Sequence, residues 1–129
     1  MFEYHGWVHL CSTAEAVDDE PELPMAEIQR LVDGWTGRGL MSLGGSNGAS
    51  FVHFAGMPNH VDQDVFDFFA ELGRLAPGSY GLLHWHYHGT HNEFRVQRMV
   101  RGQVTEHPEP LLSPVIPGLE DEWVFSESS

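Results

Sequence analysis

The sequence contains no lysine, and all six of its basic residues are arginine. Against nineteen acidic residues they leave a formal net charge of -13 at pH 7. Nucleic acids and anionic membrane surfaces are bound through Lys and Arg side chains that neutralise phosphate. The composition therefore predicts that the protein binds neither of them, and it favours a basic partner. An acidic surface also has a simpler explanation, because it keeps a protein dispersed in solution.

Cysteine and long apolar runs are scarce as well. Cys11 is the single thiol of the chain, which excludes a disulfide framework within it. The first 20 residues have no basic stretch followed by a long apolar run, and no segment approaches the roughly 20 apolar residues that cross a bilayer. We therefore expect a cytoplasmic protein. At this length we expect one domain over residues 1–129.

Two hydrophobic periods divide the chain into strands and helices. Alternation and turn signals predict strands at residues 1–12, 39–43, 50–55, 80–88 and 93–102. Helical spacing of apolar residues predicts helices at 23–35 and 61–75. This order, βαββαββ, indicates an α+β domain with two helices on one face of an antiparallel sheet of about five strands, a ferredoxin-like variant. In that topology the first strand lies between the third and the fourth.

The C-terminal part of the chain shows no such period. Residues 107–119 are rich in proline, and we expect them to run extended over the surface. Residues 124–129 contain three serines and a glutamate, and we expect them to fray.

Alternation along the strands separates two sets of side chains, because successive strand residues point to opposite faces of a sheet. The apolar set is expected to face the helices and comprises Phe2, Tyr4, Val8, Leu10, Val52, Phe54, Leu83, Trp85 and Tyr87. The set expected on the open face comprises His5, Trp7, His9, His53, His84, His86 and His88. We predict that this second set contacts a partner, unless a segment such as the Pro-rich tail covers it.

A metal site is the alternative interpretation of the histidines. His84, His86 and His88 occupy alternate positions of one strand, and zinc takes three or four such ligands. Alternate positions lie about 7 Å apart, so the three rings need not meet at one ion. A row of solvated or partner-facing histidines is therefore favoured, with a metal-binding module or a metal-dependent enzyme as the alternative. No residues form a catalytic signature, so we predict a protein without cofactor that is not an enzyme.

Five short segments, in order along the chain, resemble those of a known family. They are MFEYHGWV at residues 1–8, APGSYGLL at 76–83, NEF at 92–94, VRGQVTE at 100–106 and LLSPVIP at 111–117. Together they resemble the immunity protein 7 family of bacterial polymorphic toxin systems. The resemblance implies a protein that binds and neutralises a cognate toxin domain and so protects the producing cell and its kin. Residues 84–91 depart from the family pattern, which has mixed charges there, and inherit no role from it.

The net charge indicates which class of toxin to expect as the partner. An acidic binder is suited to a basic protein, because opposite charges accelerate association. We therefore hypothesise that the toxin is a basic nuclease whose phosphate-binding cleft the protein occludes. A further hypothesis, from another class, is a homodimer or larger homo-oligomer that pairs its open sheet faces.

Overall fold

The computed structural model describes residues 1–87 and 93–113. They form six strands and two helices in the order βαββαβββ. The elements are β1 (Phe2–Leu10), α1 (Met25–Asp33), β2 (Leu40–Ser46), β3 (Ala49–Gly56), α2 (Gln63–Leu75), β4 (Tyr80–Tyr87), β5 (Arg95–Val100) and β6 (Gln103–Pro108).

The strands form one antiparallel sheet in the order β2-β3-β1-β4-β5-β6. The α+β class and the central position of β1, between β3 and β4, are confirmed. The prediction of about five strands is wrong, because residues 103–108 form a sixth strand instead of the start of a surface tail. A two-residue turn, Arg101 (φ 51°) and Gly102 (φ 72°), folds β6 back onto β5. Arginine seldom adopts positive φ, so this turn carries a weaker sequence signal than Asn47-Gly48 does.

Each helix begins at a residue suited to that position. Pro24 precedes α1, where a missing backbone N–H costs no helical hydrogen bond. Asp62 caps α2, and its carboxylate accepts a hydrogen bond from the backbone N–H of Asp64 at 3.0 Å. Both helices then direct their apolar stripes to the same face of the sheet, burying Ile28 and Val32 of α1 and Val65, Phe68, Phe69 and Leu72 of α2.

The core lies between this layer of helices and the sheet. Of the side chains predicted there, seven are buried, namely Phe2, Tyr4, Val8, Leu10, Val52, Phe54 and Leu83. Trp85 and Tyr87 are half-buried and pack against the same cluster. The predicted division of the strands into two faces is thereby confirmed for the helix-covered side.

Helix α2 approaches the β5–β6 turn so closely that side chains are excluded. A Cβ atom placed on Gly73 would lie 2.3 Å from the backbone oxygen of Gly102. This contact fixes β6 against α2, which explains how the sixth strand is held at the sheet edge.

Beyond β6 the chain turns back over the sheet. Glu109 is buried, and the described part of the chain ends at Ser113. Of the extended course expected at 107–119, residues 114–119 lie outside the described residues, and so does the whole segment 124–129 that was expected to fray. Within the described ranges, neither helix is long and apolar enough to cross a membrane.

Candidate partner-binding site

The face of the sheet opposite the helices, here called the open face, carries side chains in rows that run across the strands. One row is Leu40, Ala55, His5, His84, Val96 and His107. The next row is Ser42, His53, Trp7, Leu82, Arg98 and Thr105. Directly opposed residues on paired strands have Cβ atoms about 5 Å apart, so neighbours in a row can contact one another.

Five rings form a continuous cluster on the open face, here called the aromatic patch, and they are Trp7, His9, Phe51, His53 and Tyr80. The His9 ring lies between Phe51 and Tyr80, with centroid distances of 4.8 and 4.9 Å. The Trp7 ring meets Tyr80 edge to face at 6.1 Å. Exposed aromatic rings with little rotational freedom are typical anchors of protein interfaces.

A hydrogen bond fixes one part of this patch. Nδ1 of His9 lies 2.7 Å from the hydroxyl oxygen of Tyr80, and the tautomer of His9 decides which group donates. Tyr80 is nevertheless 44% exposed. The patch is therefore ordered by its own contacts while it remains accessible, so a partner would bind it at a small cost in conformational entropy.

A groove of about 590 Å³ continues the patch towards the β2 edge of the sheet. Its walls include His5, Trp7, Leu40, His53 and His84. His5 is oriented by Glu3, whose carboxylate oxygen lies 2.6 Å from Nε2 of the ring. Of the residues predicted to contact a partner, His5, Trp7, His9, His53 and His84 are therefore placed on one accessible surface.

His86 differs from the other predicted contact residues. It lies on the open face but is 0% exposed, because the Phe94 ring stacks on it with a centroid distance of 5.1 Å. The His86 side chain is thus not available on the surface described. His88 lies outside the described residues.

Hydrogen bonds hold Phe94 over His86. The backbone N–H of Phe94 donates to Oγ of Ser113 at 2.7 Å, and its carbonyl accepts from the backbone N–H of Glu109 at 3.3 Å. The buried Glu109 carboxylate in turn accepts from the backbone N–H groups of Leu111 and Leu112, at 3.0 and 2.8 Å. His86, Phe94 and residues 109–113 together are called the covered end of the open face.

An acidic segment borders the opposite end of the face. Residues 15–22 contain five carboxylates, Glu15, Asp18, Asp19, Glu20 and Glu22, all on exposed residues. A groove of about 700 Å³ is lined jointly by Glu20, Glu22, His9 and the β2–β3 turn. Negative charge is therefore placed directly beside the aromatic patch.

Cys11 lies in this same groove. Partial burial, together with the nearby Glu20 carboxylate, raises the pKa of the Cys11 thiol. A raised pKa leaves little thiolate at neutral pH, which makes Cys11 a poor nucleophile.

The histidines of the described residues do not converge on a metal site. Among residues 1–87 and 93–113, no group of three or more His, Cys, Asp or Glu side chains could hold an ion. In the predicted set of His84, His86 and His88, the first is half-buried, the second lies under Phe94 and the third is outside the described residues. Nothing in the described structure supports the metal-binding alternative.

The predicted set of contact residues omitted three members of this surface, which are Phe51, Tyr80 and Leu40. Phe51 is two residues from His53 on β3, and Tyr80 shares the face of the β4 histidines, so alternation places both on the open face. Leu40 is 74% exposed and lies at the sheet edge. Only the position of β2 at that edge makes Leu40 part of the site.

Comparison with known protein families identifies the family of this chain. The family model described as Immunity protein 7 matches residues 1–121, nearly the whole chain. The chain belongs to the immunity protein 7 family. This confirms the resemblance drawn from the five sequence segments. A search of curated proteins found no match to the chain, and neither did a search of solved structures.

Membership of the immunity protein 7 family implies an immunity protein of a toxin system. Such families are generally non-enzymatic, which agrees with the expectation of a protein that acts by binding. Since the family assignment extends over β1 to β6, the open face and both of its ends belong to the immunity domain itself.

Proposed function

We propose that this immunity protein binds a cognate toxin domain through the open face and neutralises it, protecting the producing cell and its kin. The observation that carries the proposal is the aromatic patch. Its five rings are ordered by mutual contacts yet accessible, whereas the other Phe, Tyr and Trp side chains described on the sheet pack towards the helices.

The acidic segment supports a basic partner. Its carboxylates share a groove with His9, so a positively charged toxin surface would be attracted to the site where the aromatic anchors are. Three of the arginines do little to offset the negative potential of the acidic segment, because each forms an ion pair with a carboxylate elsewhere. The pairs are Arg38 with Asp62, Arg74 with Glu71 and Arg95 with Glu106. A nuclease domain with a basic phosphate-binding cleft fits this charge, and occlusion of that cleft is the proposed mode of inhibition.

We propose that binding takes place in the cytoplasm. Neutralisation there requires only that immunity protein and toxin meet in the compartment where a nuclease would find its substrate. The acidic composition and the single thiol are both compatible with that compartment.

Co-expression tests the proposal directly. The toxin domain encoded beside this gene would be expressed in a sensitive host with and without the immunity protein, and growth and complex formation would be measured. We expect restored growth together with a stable complex in a pull-down. Continued growth arrest with no complex would overturn the proposal, and an acidic or membrane-active toxin would overturn the nuclease assignment alone.

A further inference from the structure

The two edges of the sheet differ in how they are protected from pairing with another strand. An exposed edge presents unpaired backbone N–H and C=O groups, and proteins commonly block it with charges, proline or covering segments. At one edge, β6 carries Glu106, His107 and Pro108, and Glu106 forms an ion pair with Arg95 at 3.0 Å. At the other edge, β2 has the sequence LMSLGGS, with neither charge nor proline.

The absence of charge extends well beyond β2. From Gly39 to Val61 the sequence contains no Asp, Glu, Lys or Arg, although the whole chain has a net charge of -13. This run includes β2, the Asn47-Gly48 turn and β3. Within the described residues β2 pairs with β3 alone, and Leu40 at its start is 74% exposed.

We propose that the β2 edge is a self-association site at which β2 pairs antiparallel with β2 of a second copy of this chain. A two-fold axis perpendicular to the sheet makes such an interface self-complementary, as in most homodimers. The two sheets become continuous, and both open faces lie on the same side. The interface therefore differs from a face-to-face pairing, which would bury the aromatic patch.

Electrostatics favours a second copy over a basic toxin as the occupant of this edge. Two acidic chains repel each other wherever their carboxylates come within a Debye length, about 8 Å at physiological ionic strength. The charge-free hairpin lets two copies approach with the least repulsion. A basic partner gains no electrostatic attraction from this uncharged hairpin, whereas the acidic segment attracts it.

The interface is small. A strand of 7 residues is about 24 Å long, so pairing it alone covers less surface than a permanent dimer buries. The dimer is therefore concentration-dependent, and residual repulsion makes it stronger as salt is added. Toxin binding by opposite charges has the reverse dependence on salt.

Analytical ultracentrifugation of the untagged protein, from about 1 μM to about 500 μM, tests the proposal. We expect the mass to rise from 14.5 kDa towards twice that value, and to rise further in higher salt. Ser42→Lys should raise the dimer dissociation constant about tenfold or more, because a lysine on an edge strand opposes its pairing with another strand. A mass that stays monomeric over the whole range would overturn the proposal.

Thr105→Lys is the matched control, since Ser42 and Thr105 are the exposed ends of one row of the open face, on opposite edges. Both variants reduce the net negative charge equally, so only a local effect distinguishes them. We expect Thr105→Lys to dimerise like the wild type and both variants to keep wild-type circular dichroism. An equal effect of the two variants would overturn the assignment of the edge.

Hydrogen exchange of the β2 amides separates this proposal from toxin binding. Protection that grows with protein concentration alone supports self-pairing. Protection that appears only when toxin is added would overturn it and assign the edge to the toxin.

Discussion

At one end of the open face the His86 ring lies beneath Phe94, and at the other end Trp7, His9 and Tyr80 are accessible. His86 and Tyr80 occupy positions of β4 that face the same side of the sheet. The difference comes from residues 109–113, whose hydrogen bonds fix Phe94 over one end only. Local alternation thus decides which side a residue faces, while a distant segment decides whether it can meet a partner. Substitutions at the covered end should therefore affect stability, and substitutions at the accessible end should affect binding.

The largest effect is expected for Phe94→Ala. Phe94 is buried against His86, and removal of such a ring costs about 3 kcal/mol or more of the free energy of unfolding. Urea unfolding followed by tryptophan fluorescence would measure it, with Phe94→Leu as the milder control. Toxin affinity, measured at a temperature where the variant is folded, should equal that of the wild type. A folded Phe94→Ala protein with weakened binding would show that the covered end also contacts the toxin.

Trp7→Ala should give the reverse result. As an accessible ring shared by the aromatic patch and the adjoining groove, Trp7 is expected to contribute about 2 kcal/mol to toxin binding, roughly a 30-fold change in Kd. The free energy of unfolding should change less than it does for Phe94→Ala. Isothermal titration calorimetry gives the affinity, and Trp7→Phe should restore part of it. Unchanged affinity in Trp7→Ala would remove the patch from the interface.

Removing charge from the acidic segment should slow association without abolishing it. Asp18→Asn combined with Asp19→Asn is expected to lower the association rate constant by about threefold to tenfold in low salt. The matched control, Glu27→Gln with Asp33→Asn, removes the same charge from exposed positions of α1. Stopped-flow kinetics at several salt concentrations would measure both. Equal slowing in the two double variants would mean that net charge, not the position of the acidic segment, attracts the toxin.

The smallest effect concerns Cys11, at the border between the acidic segment and the patch. Burial first, and Glu20 second, raise its pKa, so alkylation by iodoacetamide at pH 8 should be slower than for an unstructured thiol. The pKa of Cys11 is higher in the folded state than in the unfolded state. The protonated thiol therefore contributes fully to the free energy of unfolding below the unfolded pKa, and this contribution is lost as pH rises through the folded pKa. Alkylation rates between about pH 7 and 10, with a cysteine peptide as control, test this. A rate equal to that of the peptide would contradict it.

Much of the fold could be predicted because its strands obey a simple period. Phe2, Tyr4 and Val8 alternate with His5 and Trp7, and the structure places the two sets on opposite faces as expected. The sixth strand could not be recognised in the same way. Its turn uses an arginine at positive φ, and its proline and histidine are typical of a surface segment.

The burial of His86 at the candidate site could not be predicted from the sequence for another physical reason. Sequence periodicity assigns a side chain to a face but contains no information about what packs on that face. Burial of His86 depends on hydrogen bonds that join Phe94 to Glu109 and Ser113, two residues far from Phe94 in sequence. The accessible end needed no such contact, so its members His5, Trp7 and His9 were predicted on the open face from alternation alone.

Hydroxyl-radical footprinting of the toxin complex tests the central claim most directly, because it reports which side chains lose solvent contact. The account predicts that oxidation of Trp7 and Tyr80 falls on complex formation. Oxidation of Met57, which is exposed outside the aromatic patch and the acidic groove, should not change. Unchanged oxidation of Trp7 and Tyr80 in a complex that protects Met57 would contradict the assignment of the open face as the toxin-binding surface.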